Sequence, residues 1–230
     1  MMGSWVDLKA DDGHRLDAYV ATPEGEAEGA VVVVQEIFGV NQSIRAVVET
    51  FAHEGFVAIA PALFDRYERN VELGYGEADM KRAFGEFYPK LDPNVSLVDV
   101  AAAFQYVKRA GKATGVVGFC YGGLMAWLSA VRGASLGMRP DCCVGYYPGG
   151  IGRFAAEDPV CPVILHFGAN DDHIGKDQVE AVRAAHPEVG IFLYEGAGHA
   201  FANPDRPSYV ASAAKLADER TLSFLKANLR

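Results

Sequence analysis

Short apolar runs alternate with amphipathic stretches along most of the 230-residue chain. Two early runs, Val6–Lys9 and Leu16–Val20, alternate apolar with polar residues and flank Asp11-Asp12-Gly13, a pattern that predicts a β-hairpin. The later runs are mostly β-branched or aromatic and show no polar alternation, which is typical of strands that are covered on both faces. These later runs are Ala30–Val34, Phe56–Ala60, Thr114–Phe119, Cys143–Tyr147, Pro162–Phe167 and Val189–Tyr194.

Between the strands, apolar residues recur at spacings of three and four with charged residues on the other side, which predicts helices. The stretches with this pattern are Ser43–Glu54, Val95–Arg109, Leu124–Val131, Gln178–Ala185 and Tyr209–Ala227. Strands that alternate with helices build βαβ units, so we predict an α/β fold with a mostly parallel sheet and helices on both faces. Ligands of such sheets bind beyond the carboxyl ends of the strands. The chemistry is therefore expected in the loops that leave the strands.

The composition is that of a globular protein with a sizeable core, since 50% of the residues are hydrophobic and 22% are charged. No repeat, low-complexity tract or Ser/Pro-rich linker interrupts the chain, so one domain is expected over residues 1–230. The 30 acidic and 21 basic side chains give a net charge of −9. This charge disfavours binding to nucleic acid or to an anionic membrane, and any anionic substrate must be met by local cations.

The N-terminus lacks the basic and apolar segments of a signal peptide, and no transmembrane segment is expected. The four cysteines form no C-x-x-C pair, so neither a disulfide framework nor a zinc site is predicted. These features favour a reducing cytoplasm as the location of the protein. Cys142, Cys143 and Cys161 lie in or beside apolar runs and are interpreted as small buried hydrophobic residues. Cys120 differs from these three because it lies in a glycine-rich motif between a predicted strand and a predicted helix.

The most specific motif is Gly118-Phe119-Cys120-Tyr121-Gly122, which follows a predicted strand and precedes a helix rich in small and apolar residues. Its G-x-C-x-G spacing is that of a nucleophile elbow, a strained turn that exposes its central residue at the end of the sheet. The Cys120 sulfur would lie near a helix N-terminus, which favours thiolate, and the Tyr121 N–H would point at a developing oxyanion. The alternative is a buried cysteine in a Gly-rich turn.

Two more loops are predicted to bring an acid and a histidine to the same end of the sheet. One loop contains Asp171 and Asp172 and follows the strand that ends at Phe167, and the other contains His199 and follows the strand that ends at Tyr194. The chain order of cysteine, acid and histidine is the order of α/β-hydrolases and differs from that of chymotrypsin or subtilisin. The three loops together predict a Cys-His-Asp triad.

Five segments resemble the dienelactone hydrolase family of α/β-hydrolases, and the similarity extends over nearly the whole chain. They are QEIFGVN (Gln35–Asn41), GFCYGG (Gly118–Gly123), GANDDHI (Gly168–Ile174), GAGHAFANPDRPSY (Gly196–Tyr209) and ADERTLSFL (Ala217–Leu225). The resemblance implies an eight-stranded α/β-hydrolase fold. It also implies hydrolysis of a small-molecule ester or lactone through an acyl-enzyme, with no cofactor.

The resemblance also implies roles for individual residues. Cys120 is the nucleophile, and Asp171 and His199 are its partners. The family residue that matches Glu36 contacts the nucleophilic thiol and helps to convert it to thiolate when substrate binds. A structural salt bridge is the alternative for a carboxylate at the end of an apolar strand. The Ile37 backbone N–H resembles the second oxyanion donor of the family, beside that of the residue after the nucleophile.

Asp171 is preferred over Asp172 as the acid because its distance from Gly168 matches the family pattern. His166 and His173 offer a different interpretation, in which they join the two aspartates as metal ligands. Their spacing matches no recognised metal motif. We therefore predict no metal site.

The candidate substrate-binding residues come from three parts of the chain. Family members that act on dienelactone bind its carboxylate through two arginines, one of them four residues beyond the catalytic histidine, where this chain has Asn203. Arg206 on the same loop is the candidate replacement, with a surface role as its alternative, and Lys81 and Arg82 are the nearest candidates for the other arginine. Aromatic residues that form either walls of the pocket or part of the core are Phe38, Tyr88 and Tyr147.

A thiol-based redox sensor and a non-catalytic binding protein of the same fold are the alternative functions. A sensor places a resolving cysteine near the reactive one, and no cysteine lies within twenty residues of Cys120. The other three cysteines lie farther along the chain. The intact set of nucleophile, histidine, acid and Glu36 argues against a binding protein. We therefore predict a monomeric ester or lactone hydrolase.

Overall fold

A single sheet of eight strands forms the centre of the computed structural model, which describes residues 3–109 and 111–229. The strands are β1 (Ser4–Lys9), β2 (Arg15–Ala21), β3 (Gly29–Val34), β4 (Phe56–Pro61), β5 (Thr114–Phe119), β6 (Cys142–Tyr146), β7 (Val163–Gly168) and β8 (Gly190–Tyr194). Their order in the sheet is β1-β2-β4-β3-β5-β6-β7-β8. Strands β3 and β5 are buried at every residue, which agrees with their largely apolar sequences.

The sheet is parallel from β4 to β8, whereas β2 runs antiparallel to both β1 and β4. The hairpin of β1 and β2 pairs Lys9 with Arg15 and turns through Gly13, whose φ is +88°. Glycine adopts this left-handed conformation without a steric penalty. The predicted hairpin and the mostly parallel eight-stranded sheet are confirmed.

The α-helices in residues 3–109 and 111–229 are α1 (Gln42–His53), α2 (Glu77–Arg82), α3 (Pro93–Lys108), α4 (Tyr121–Arg132), α5 (Lys176–Ala185) and α6 (Ala211–Asn228). Local sequence fixes where two of them begin. The Asn41 side chain caps α1 by accepting a hydrogen bond from the Ile44 N–H (3.2 Å), and Asp92 caps α3 in the same way. Across these same ranges, no helix combines the length and apolarity needed to cross a membrane.

The helices cover both faces of the sheet. Adjacent residues of a strand point to opposite faces. In β6, a Cβ atom on Gly145 would lie 3.1 Å from the Gly123 oxygen of α4, whereas the next residue, Tyr146, donates a hydrogen bond to Asp218 of α6 (3.0 Å). Helices α4 and α6 therefore lie on opposite faces, as the α/β prediction requires.

The segment between β4 and α3 differs from the prediction, which placed no element there. It contains a 3-10 turn at Leu63–Arg66, the helix α2, a π-helical turn at Ala83–Phe87 and a second 3-10 turn at Tyr88–Lys90. No residue of α2 is buried, so its sequence lacks the apolar stripe by which a helix is recognised. The predicted strand Cys143–Tyr147 is also one residue too long at its end, because Tyr147 leaves the β conformation with a φ of +37°.

Two glycines allow β3, β5 and α4 to approach each other closely. A Cβ atom on Gly118 would lie 1.8 Å from the Gly122 carbonyl oxygen, and a Cβ atom on Gly122 would lie 2.2 Å from the Val34 oxygen. Both obstacles are backbone atoms, which cannot move aside as a flexible side chain can. A side chain at either position would therefore displace the turn that carries Cys120.

We expect Gly118→Ala to lower the free energy of unfolding by about 3 kcal/mol or more, because the added methyl group overlaps backbone. Gly85→Ala is the matched control, since a Cβ atom there meets nothing within 4 Å. Urea unfolding followed by circular dichroism measures both changes. Equal stability of the two variants would contradict the close approach at the elbow.

Candidate active site

Cys120 occupies the tight turn between β5 and α4. Its φ of 54° and ψ of −115° are rare for a residue with a side chain, and its N–H donates to the Tyr146 carbonyl (3.0 Å). Strain of this kind costs on the order of 1–3 kcal/mol and is concentrated at functional sites. Among the free thiols, Cys142 and Cys143 are fully buried, whereas Cys120 is half-buried and lines a cavity of about 440 Å³.

His199 and Asp171 meet beside this cavity. His199 Nδ1 lies 2.8 Å from Asp171 Oδ2. The other carboxylate oxygen, Oδ1, accepts hydrogen bonds from the backbone N–H groups of His173 (2.8 Å) and Ile174 (3.1 Å). The Asp171 carboxylate is fully buried, whereas Asp172 is exposed. The hydrogen bonds therefore hold Asp171, and not its neighbour, in position to orient the imidazole.

The electrostatic environment of His199 favours the imidazolium. Burial acts against protonation, but the negative sulfur of Cys120 and the hydrogen bond to Asp171 more than offset it and raise the pKa of His199 to about 10. A hydrogen bond to Cys120 also contributes to the shift. His199 thus lies between the Cys120 sulfur and the Asp171 carboxylate and interacts with both.

The two predicted oxyanion donors belong to residues that line the same cavity, Ile37 and Tyr121. Tyr121 is the first residue of α4, and the first N–H groups of a helix have no partner within the helix. Its N–H is therefore available to an oxygen atom that develops negative charge near Cys120.

Glu36 is buried just beyond the end of β3 and has polar neighbours. Its Oε2 accepts hydrogen bonds from Asn203 Nδ2 (2.9 Å) and the Tyr75 hydroxyl (3.3 Å). Its Oε1 is buried without a hydrogen-bond partner in the described part of the chain. Burial raises the pKa of Glu36, although the nearby Arg206 guanidinium, the two hydrogen bonds and His199 act in the opposite direction. The salt-bridge alternative has no direct support, because no ion pair of Glu36 is present among the described residues.

The structure brings some of the predicted substrate-binding residues to the cavity. Phe38, Tyr88 and Arg206 line it. Arg82 lies outside it and is bound to Glu68 (2.6 Å) and Glu86 (3.1 Å), so its charge is already paired. Lys81 also does not line it. A surface ion-pair cluster therefore occupies the segment that sequence reasoning assigned to the second arginine.

Tyr147 and Asn203 line a second cavity of about 540 Å³, not the cavity that contains Cys120. Tyr147 is fully buried, and its ring packs against His199 with 5.2 Å between ring centres. Asn203 is also buried, and its amide nitrogen donates to Glu36 and to the Tyr75 hydroxyl (2.8 Å). Tyr147 therefore contacts His199, and Asn203 contacts Glu36, although neither lines the cavity that contains Cys120.

The metal interpretation has no support in the geometry. His166 is buried and bonded to the hydroxyls of Tyr194 (2.8 Å) and Thr221 (3.1 Å), and burial lowers its pKa to about 3. His173 is exposed at the mouth of the cavity. Within residues 3–109 and 111–229, no group of His, Cys, Asp and Glu side chains is arranged to hold a metal ion.

Sequence reasoning missed several residues of the site. Arg132 and Arg153 line the cavity, and Tyr75 donates to Glu36, whereas His173, which also lines the cavity, was considered only as a metal ligand. Arg153 lies in the loop that leaves β6, so the rule that ligands bind beyond strand ends was a signal for it. Arg132 lies at the far end of α4, and no sequence pattern indicates its approach to the cavity.

Comparison with known protein families agrees with the geometry of the site. The model of the dienelactone hydrolase family matches residues 16–229. The chain belongs to the dienelactone hydrolase family. This confirms the resemblance of the five sequence segments, and it makes the protein a hydrolase of carboxylic esters or lactones.

Relatives within the dienelactone hydrolase family match over the full chain. The carboxymethylenebutenolidase of Pseudomonas putida is 31% identical over 234 residues, which cover 98% of this chain and 97% of that protein. The carboxymethylenebutenolidase of Pseudomonas sp. (strain P51) is also 31% identical, over 98% of this chain and 96% of that protein.

Solved structures agree with the family fold. A Klebsiella pneumoniae protein assigned to the dienelactone hydrolases superposes with a TM-score of 0.78 at 27% identity, over 96% of this chain and 98% of that chain. A dienelactone hydrolase-like promiscuous phosphotriesterase from metagenomic libraries has the same TM-score at 18% identity over the whole of both chains, which shows the fold alone. The predicted α/β-hydrolase fold is confirmed.

Proposed function

We propose that Cys120 hydrolyses an ester or lactone through a thioester intermediate, with His199 and Asp171 completing the triad. One observation carries this proposal: the imidazole of His199 is bonded to the buried Asp171 carboxylate and interacts with the Cys120 sulfur at the wall of one cavity. An activated nucleophile, a base and a third group that orients the base are the requirements of covalent acyl transfer.

The reaction begins when the Cys120 thiolate attacks the carbonyl carbon. The carbonyl electron pair moves to oxygen, and the resulting oxyanion accepts hydrogen bonds from the backbone N–H groups of Ile37 and Tyr121. When the tetrahedral species collapses, the C–O bond breaks and the leaving alkoxide takes a proton from His199. In a lactone, this alkoxide remains joined to the acyl group.

Water completes the cycle by attacking the thioester. His199 accepts the proton of this water, and the C–S bond then breaks to release the carboxylic acid and to return Cys120 as thiolate. Glu36 lies behind the site as a buried carboxyl group with a raised pKa. In this proposal the Glu36 carboxylate accepts the proton of the resting Cys120 thiol when substrate binds, through a small movement of its unpartnered Oε1, and returns this proton to the thiolate when the product leaves.

An anionic lactone is the substrate class that the relatives favour. The Pseudomonas relatives carry the name carboxymethylenebutenolidase, which describes a lactone ring with a carboxylate substituent. Arg206 lines the cavity, and its guanidinium lies 5.2 Å from the ring centres of both Phe38 and Tyr75. These rings hold the guanidinium at the wall, where it is placed to bind a carboxylate.

Turnover of 4-nitrophenyl acetate separates a hydrolase from a redox sensor. The hydrolase releases many equivalents of 4-nitrophenolate per chain under reducing conditions. A reactive thiol that cannot deacylate releases one equivalent at most. A parallel time course with dilute peroxide follows thiol oxidation by mass. A single stoichiometric release together with rapid formation of a disulfide would favour the sensor and contradict the proposed function.

We expect Glu36→Gln to lower kcat by about 10- to 100-fold with little change in KM, because the amide cannot exchange the proton that activates the thiol. The exposed Glu77→Gln is the matched control and should leave both constants unchanged. Steady-state kinetics on folded protein, checked by thermal unfolding, measures the effect. Unchanged turnover in Glu36→Gln would reduce this carboxyl group to a structural role.

The pKa of His199, raised to about 10, predicts the alkaline limit of activity. Below this pH the imidazolium is available to protonate the leaving group, and above it the proton is lost. Because Cys120 is ionised in the substrate complex, we expect kcat for phenyl acetate to stay level from neutral pH and to fall above about pH 10. A fall near pH 7 would show that Cys120 and Asp171 do not hold the proton on His199.

A further inference from the structure

The cavity that contains Cys120 is cationic, although the protein as a whole carries a net charge of −9. Arg132, Arg153 and Arg206 line it. No acidic side chain does so within the described ranges. A local concentration of positive charge in an acidic protein selects for an anionic group on the ligand.

Arg132 is not available to a ligand. Its guanidinium forms a two-point ion pair with Glu157, at 2.6 and 2.5 Å, and donates a further hydrogen bond to the Asn94 side chain (2.8 Å). Its charge is neutralised within the protein. Arg206 is compensated in part, since its charge acts on the buried Glu36.

Arg153 differs from Arg132 and Arg206 because no acidic side chain compensates its charge in the described part of the chain. Its guanidinium carbon lies 5.7 Å from the centre of the Phe154 ring, and one guanidinium nitrogen lies 2.8 Å from the position that a Cβ atom on Gly150 would occupy. The guanidinium thus extends over a glycine at the cavity wall, where it remains exposed to solvent and to a ligand.

The turn that carries Arg153 is held firmly by its neighbours. The turn is the 3-10 segment Ile151–Phe154, and Ile151 itself is fully buried. The Gly152 N–H donates to the Gln178 side chain of α5 (3.4 Å), and the Trp127 indole of α4 donates to the Phe154 carbonyl (3.1 Å). The backbone of this turn therefore needs no ordering when substrate binds, and only the Arg153 side chain must be ordered.

The geometry points to Arg153 as a specificity-determining residue that binds the anionic group of the substrate alongside Arg206. This inference rests on the proposed ester hydrolysis at Cys120. The guanidinium is a planar fork that matches a carboxylate, so it should favour anionic esters over neutral esters of the same shape. Arg153, in the loop after β6, would then be the second arginine that binds the substrate carboxylate, a role for which Arg82 was a candidate from sequence.

Two esters of nearly the same shape test the inference, the anionic 4-acetoxybenzoate and the neutral 4-acetoxybenzamide. We expect Arg153→Gln to lower kcat/KM for the anionic ester by about tenfold, mainly through KM, and to leave the neutral ester unchanged. Arg153→Lys keeps the charge and should recover part of the loss. Arg82→Gln is the matched control, because it removes an arginine outside the cavity and should change neither ester.

The outcomes separate this inference from the proposed function. If the wild-type protein hydrolyses neither ester, the proposed function fails and the inference fails with it. If the wild type hydrolyses both esters but Arg153→Gln lowers both equally, or changes neither, then only the role of Arg153 is overturned. A selective loss in Arg82→Gln and none in Arg153→Gln would return the assignment to the segment before α3.

Discussion

Cys120→Ala should reduce the hydrolysis of 4-nitrophenyl acetate by at least about 10⁴-fold, the size of effect known for loss of a triad nucleophile. The methyl group that replaces the thiol cannot form a thioester. His199 then has no nucleophile with which to exchange a proton. The cavity and the oxyanion donors remain, so substrate binding should persist. Initial rates at saturating ester, corrected for the blank reaction, measure the loss.

Cys161→Ala is the control for this result. The Cys161 sulfur lies 3.9 Å from that of the buried Cys143, in a position that does not line the active-site cavity. We expect this variant to keep turnover within about twofold of wild type, as is usual for a substitution that does not touch the site. Substantial activity in Cys120→Ala, or its loss in Cys161→Ala, would move the nucleophile elsewhere.

Asp171→Asn should lower kcat by about 10⁴-fold, the size of effect known for the orienting acid of serine hydrolase triads. The asparagine side chain can donate a hydrogen bond to His199 Nδ1, which favours the wrong tautomer. It also removes a negative charge that helps to raise the pKa of His199. The alkaline limit of kcat should therefore move to lower pH in this variant.

Asp172→Asn is the matched control, because it makes the same chemical change at the adjacent residue. Asp172 is exposed, whereas the hydrogen bond to His199 comes from Asp171. We expect a change of less than about threefold in kcat. The reverse ranking of the two variants would assign the acid to Asp172 and would require a different conformation of this loop.

Most of the sheet could be predicted from sequence because buried parallel strands have a simple pattern. Strands such as β3 and β5 are short, apolar and covered on both faces. The segment between β4 and α3 could not be predicted in the same way. Helix α2 buries no residue, and the π-helical turn that follows buries only Ala83 and Phe87. Tertiary contacts, rather than periodicity, determine its structure.

The predicted triad residues meet because parallel strands deliver their loops to one end of the sheet. The loop after β7 carries Asp171, the loop after β8 carries His199, and their side chains lie 2.8 Å apart. Residues of the site that do not lie in loops after strands could not be predicted in this way. Tyr75 comes from an irregular segment, and Arg132 comes from the last turn of α4. Their positions depend on packing that a single sequence does not encode locally.

The chemistry of Cys120 is tested most directly by trapping its acyl intermediate. The protein is mixed with excess 4-nitrophenyl acetate, quenched in acid within the first turnover, and examined by intact-mass spectrometry and peptide mapping. We predict one acetyl group per chain, on the peptide that contains Cys120, and its release by hydroxylamine as expected for a thioester. An unmodified chain, or an acetyl group on another cysteine while Cys120 stays free, would contradict the account.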